Sequence, residues 1–143
     1  MRNTLMDFTL RKYKELLTSL LENGYKFITF EQYCEQKLAS SPNSLIASSP
    51  HIILRHDVDL KAANSLATAQ IEQALGIKAS YYFRVVAESN QPDIIRSIAE
   101  LGHEVGYHYE DMAIADGDAQ KAYAHFEKQL QYFRSFYPVR TIC

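Results

Sequence analysis

The sequence has no tryptophan and only two cysteines among its 143 residues. Without tryptophan, ten tyrosines and seven phenylalanines carry the aromatic packing. Cys34 and Cys143 are too few and too far apart for a disulfide framework or a zinc knuckle. Neither sign of charge dominates. The formal net charge is -2 and no stretch clusters Lys and Arg, which excludes the basic field that nucleic acid requires. No run approaches the roughly 20 apolar residues of a membrane span, and residues 1–7 lack the apolar core of a signal peptide. The expectation is a cytoplasmic protein. Low-complexity segments are absent too, and 47% hydrophobic and 12% aromatic residues fit one soluble globular domain over 1–143.

What is present is a β/α rhythm. Apolar residues Leu10, Tyr13, Leu16, Leu17, Leu20 and Leu21 predict an amphipathic helix over 5–21, closed at Asn23-Gly24. A short strand over 25–29 precedes a helix over 30–37, with Tyr33 and Leu38 facing inward. The serine- and proline-rich stretch 39–50 reads as a loop. Residues 1–50 thus form an N-terminal extension to the β/α units over 51–143. Those units begin with a strand over 52–55, a helix over 61–75 closed by Gly76, and a buried strand over 79–85. A helix over 91–101 is opened by Asn90 with Pro92 in its first turn; then come a strand over 104–107 and a helix over 118–137 broken by Pro138. A last strand begins over 139–143. This order implies an α/β fold with right-handed crossovers and a mostly parallel sheet, its strands' carboxyl ends on one face.

Two segments carry chemistry. In Ile52-Ile53-Leu54-Arg55-His56-Asp57-Val58-Asp59 an apolar run ends in two carboxylates one residue apart. Side chains at i and i+2 of a strand point the same way, so Asp57 and Asp59 project together at the edge where α/β folds bind ligands. Such a pair repels itself unless a cation or a shared proton intervenes. The competing reading makes Asp57 or Asp59 the N-cap of the following helix. Arg55 should point opposite to His56, in an ion pair or in the site. The second segment is Gly102-His103-Glu104-Val105-Gly106-Tyr107-His108-Tyr109-Glu110-Asp111. His108, Glu110 and Asp111 are nitrogen and oxygen donors of the kind that Zn, Co, Fe or Mn accept. His103 reads as a satisfied core histidine. Tyr109 either lines the pocket as a stacking surface or simply packs, and Arg84 belongs to the same set of strands as a candidate substrate contact.

The order of apolar strand, HDVD, helix, ASYYF strand, helix and GHEVGYHYE resembles the polysaccharide deacetylase family, the NodB-homology or carbohydrate esterase 4 group, in its bacterial DVD branch. The resemblance runs from about His51 onward. It implies that Asp57 is the catalytic base and that Asp59 and His108 are metal ligands. The family's usual second histidine, four residues after the first, is here Met112, a poor ligand for such ions. Glu110, ahead of Asp111, is the expected substitute. The chain stops at Cys143, before the family's later motifs with the base-tethering arginine and the general-acid histidine. His51 and His125 are not evident replacements. A closed barrel of this type needs about 200–250 residues. The expected architecture is therefore a partial (β/α) barrel, truncated at the C-terminus, with an exposed sheet edge suited to homo-oligomer formation.

The function so implied is hydrolysis of an N-acetyl amide on an amino sugar, small or lipid-linked, assisted by one divalent ion, foremost Zn. Two other expectations stand beside it. One is a truncated relative without catalysis. The other is a hydrolase of a different small amide, such as an allantoin-like or cyclic-imide compound.

Overall fold

Thr9 starts the first element. Its backbone is extended (φ -123°) and its hydroxyl accepts the Lys12 N–H at 3.2 Å, capping helix α1, Leu10–Glu22. The computed structural model describes residues 9–39 and 50–143. The first residues of the helix expected over 5–21, and the body of the loop expected over 39–50, lie outside them. Asn23 caps α1 through its amide to Ser19 O at 2.7 Å, and Gly24 turns the chain at φ +83°, a conformation costly for a residue with a Cβ. Strand β1, Lys26–Ile28, and helix α2, Phe30–Ala39, come next. The inward placement of Tyr33 and Leu38 is not observed. They are 37% and 87% exposed, because no described element covers that face of α2 and none of its residues is buried.

The expected single motif strand is two. Strand β2, His51–Ile53, pairs in parallel with β1, while β3, Arg55–Val58, belongs to a separate three-stranded parallel sheet. The switch occurs at Leu54, whose carbonyl still accepts Ser80 N–H at 2.9 Å, so the chain changes sheet without changing direction. Helix α3 is Ala62–Ala74, β4 is Ser80–Phe83, α4 is Pro92–Glu100 and β5 is Glu104–Tyr107. The sheet order is β3-β4-β5. Strands β4 and β5 are buried along their whole length, which explains their lack of apolar–polar alternation. Lys61, in the left-handed region, leads into α3 and makes no side-chain cap; neither Asp57 nor Asp59 does that work. The N-cap of α4 is Gln91, one residue after the expected Asn90, with Pro92 in the first turn as expected.

A one-turn helix that the pattern missed, α5 at Asp111–Ile114, leads to α6, Ala119–Arg134, capped by the Asp118 carboxylate. Helix α6 stops three residues short of the expected Tyr137, because a residue before proline is pushed off the α region and Pro138 therefore acts upstream. The strand expected over 139–143 is a single parallel bridge, Ile142 to Tyr107, extended by Tyr109 N–H to Cys143 O at 2.8 Å. The core lies between the three-stranded sheet and α3, α4 and α6, around Tyr81, Phe83, Ile95, Ile98, Val105 and Phe133. Each such side chain contributes about 1.5–3 kcal/mol by leaving water. The architecture is mixed α/β with parallel sheets, and no closed barrel is formed among the described residues. No described helix is long and apolar enough to cross a membrane.

Candidate metal centre

Strand alternation decides what each motif residue can reach. On β3, Arg55 and Asp57 share the exposed face while His56 and Val58 turn the other way. Arg55 grips Asp57 with two parallel bonds, Nε to Oδ1 at 2.8 Å and a terminal nitrogen to Oδ2 at 2.7 Å. Its guanidinium also rests 5.4 Å from the centre of the Tyr82 ring. These bonds hold the Asp57 carboxyl below its ordinary value against the opposing effect of partial burial.

His108 lies just past β5 and is fixed from both sides. Its Nδ1 lies 3.2 Å from the Cys143 sulfur, and its Nε2 lies 3.5 Å from Asp59 Oδ1. Cys143 in turn lies 3.7 Å from Asp57 Oδ1. Burial, helped by the charge of Asp57, pushes the thiol up to about 12. One donor atom each from Asp57, His108 and Cys143 falls within 4.8 Å of the others. Around a tetrahedral zinc ion, with sulfur at about 2.3 Å and nitrogen or oxygen at about 2.0–2.1 Å, sulfur stands roughly 3.5 Å from its neighbours. The observed 3.2 and 3.7 Å bracket that value. The oxygen and nitrogen donors each have a partner, Arg55 on Asp57 and Asp59 on the far nitrogen of His108. The donor set fits a divalent ion.

The other expected residues are elsewhere in the same neighbourhood. Glu110 Oε2 accepts two bonds from Arg84, at 2.8 and 2.6 Å, and Arg84 Nε stands 3.9 Å from Asp59. Arg84 and Glu110 therefore engage each other. Tyr109 packs its ring edge-on to Phe126 at 6.0 Å and lines a shallow hollow with Met112, Tyr123 and Ile142. Met112 is half exposed. His103 is a buried, satisfied histidine, as its strand position suggested: Nδ1 accepts Ala79 N–H at 3.1 Å and Nε2 donates to Ala69 O at 2.9 Å. His56 faces away from the carboxylates, onto the buried Glu72 at 2.7 Å.

Cys143 is the member that sequence reading passed over. Counting cysteines hid it, since one cysteine does not make a framework. The signal was the β/α rhythm, which already placed 139–143 as the next strand and so its end at the same sheet edge. A cavity of about 460 Å³ opens beside the cluster, lined by His108, Glu110, His125, Lys128, Gln129 and Tyr132 among others. No family model, curated protein or solved structure matches the chain.

Proposed function

We propose that this protein hydrolyses an amide with the help of one divalent ion, and that the substrate is an N-acetylated amino sugar, small or lipid-linked and of cytoplasmic origin. The observation that carries the reading is the meeting of Asp57, His108 and Cys143 within 4.8 Å at the carboxyl edge of a parallel sheet. Catalytic zinc sites keep three protein ligands and one open position, and this cluster supplies three. A cavity with His108 in its wall gives a substrate room near the cluster. When bound, the ion polarises the acyl carbonyl and lowers the pKa of the attacking water.

The chain's own residues do the rest. Arg55 keeps Asp57 ionised and fixed in place, as a residue that would hold the ion needs to be. Asp59, 3.5 Å from Nε2 of His108, orients the ring so that Nδ1 faces Cys143 and would be the nitrogen to hold the ion. The family resemblance makes Asp57 the base and Asp59 a ligand. The three-donor geometry favours Asp57 as a ligand and Asp59 as the partner that orients His108. On this reading the two sheets are successive arcs of a deacetylase-type barrel. The test is acetate release from N-acetylated sugars by zinc-loaded protein, beside metal-stripped protein and cyclic amides. Zinc-dependent release from the sugars is expected. Its absence, or turnover of the cyclic amides alone, defeats the substrate assignment.

A further inference from the structure

Four residues of α6 at helical spacing, His125, Lys128, Gln129 and Tyr132, lie in the wall of the cavity that also holds His108. Residues three, four and seven apart share one face of a helix, so α6 turns a polar stripe to this space. The ionic groups of the wall are paired, with one exception. His108 faces Asp59 at 3.5 Å, His125 is bonded to the buried Asp111, and Glu110 is taken by Arg84 at 2.8 and 2.6 Å. Among the described residues, Lys128 has no acidic partner. The neutral groups lean the same way. Tyr132 donates its hydroxyl to Asn90 Oδ1 at 3.0 Å, which leaves the two N–H donors of that amide for the cavity. The Gln129 amide is engaged by His125 Nε2 at 3.2 Å. The wall thus offers donors and one positive charge without a counter-ion. Its complement is an oxyanion.

We propose that the cavity holds a phosphate group carried by the substrate, with Lys128 as its charge partner and Asn90 as a second donor. The assignment rests on the amide-hydrolysis reading above and narrows its substrate to a phosphorylated N-acetyl amino sugar. The compact ammonium of lysine meets the phosphate as a point charge, and a phosphate ester concentrates more charge on one group than a carboxylate does. A volume of about 460 Å³ suits a single sugar with one such substituent. Val85, Val86 and Ile114 give the ring an apolar side to rest on. His108 stands in the same wall, so one space serves both ends of the sugar, the phosphate at Lys128 and the acetamido group at the cluster. A group held far from the reacting bond fixes the amide in place, and no bond of the phosphate is made or broken.

The test is binding, read without turnover. Titration calorimetry on metal-stripped and on zinc-loaded protein compares N-acetylglucosamine with four derivatives. Two are its phosphate monoesters, at the anomeric carbon and at the primary hydroxyl. The others are its UDP ester and N-acetylmuramic acid, whose anion is a carboxylate. At least one phosphate derivative should bind at least about tenfold more tightly than the plain sugar in both metal states, as a charge-assisted contact warrants. A gain with a monoester identifies a free sugar phosphate, and a gain with the UDP ester alone a sugar held through a diphosphate; either supports the site. Lys128 is exposed, so its variants should keep the fold. Lys128→Ala should remove most of the preference, and Lys128→Arg should retain it. Equal affinity for plain and phosphorylated sugars, an equal gain with N-acetylmuramic acid, or a preference that survives Lys128→Ala would each overturn the assignment. Acetate release without any such preference removes the phosphate site and leaves hydrolysis standing. A preference that depends on Lys128, with no acetate released from any sugar, keeps the phosphate site and removes the hydrolase reading.

Discussion

The Cys143 sulfur touches a ring nitrogen at 3.2 Å and a carboxylate at 3.7 Å, and a serine oxygen in its place would be a much poorer partner for a thiophilic ion. Cys143→Ser should therefore weaken zinc binding by more than the roughly 10–100-fold typical of losing a merely supporting partner. Competition with a chelating dye measures it. The cobalt-substituted protein should also lose the near-ultraviolet sulfur-to-metal absorption that a thiolate ligand produces. Wild-type protein without that absorption would place the ion away from Cys143. The two aspartates are separated in the same experiment. Asp57→Asn should release the ion. Asp59→Asn removes only a supporting partner and should weaken binding by about 10–100-fold. The opposite pattern would restore the division of roles that the family resemblance implies.

At the scale of elements, the site depends on how closely β4 and β5 approach. Tyr82 of β4 is paired with Gly106 of β5, and a Cβ on Gly106 would collide with the Tyr82 ring and crowd Thr141 O. The ring lies there because Gly106 offers no side chain, and it supports the Arg55 guanidinium that grips Asp57. Gly106→Ala should cost about 1–3 kcal/mol of stability by overpacking and weaken metal binding as Arg55 shifts. Denaturant unfolding and zinc titration check the two effects. Unchanged values for both would show that the ring has room to move.

The strands that build this arrangement were legible in the sequence. Glu104–Tyr107 is found where the glycine-flanked apolar run put it, and 79–85 correctly brackets β4. What escaped was set by tertiary context. The split at Leu54 arises from which neighbours accept the backbone of each half, and no local residue type marks it. The outward Tyr33 and Leu38 reflect the lack of a described partner layer, which periodicity along α2 cannot report. In the site, the convergence of Asp57, Asp59 and His108 was readable from strand ends, whereas the grip of Arg55 and the bond of His125 to Asp111 were not. The first depends on the face that β3 exposes, and the second on a turn of helix that has no periodic signal.

Across the whole molecule, one buried polar network ties α1, β3, α3, β4 and the residue that leads into β5 together and should govern its response to acid. Glu72, fully buried, is bonded by Tyr13, by His56 at 2.7 Å and by Tyr81 at 2.6 Å. Burial alone would raise its pKa, yet these bonds hold it below the ordinary carboxylate value. Burial lowers the pKa of His103, 3.6 Å from Glu72, because a charged ring there loses its hydration. Protonating Nδ1 would break the bond it accepts from Ala79 N–H. Both shifts have the same consequence. Each group takes up protons more readily in the unfolded chain, so folding stability falls as pH falls. The contribution of His103 is complete above its unfolded value of about 6.5 and declines as pH drops from there toward its lower folded value. That of Glu72 is complete above about 4.3 and is lost as pH falls through its depressed folded value. Melting temperature should therefore decline in two stages between neutral pH and strong acid. His103→Gln should lower it at neutral pH and remove the first stage, and Glu72→Gln should remove the second. A wild-type melting temperature that stays level from pH about 7 to 5 would mean that the unfolded chain protonates His103 no more readily than the fold does.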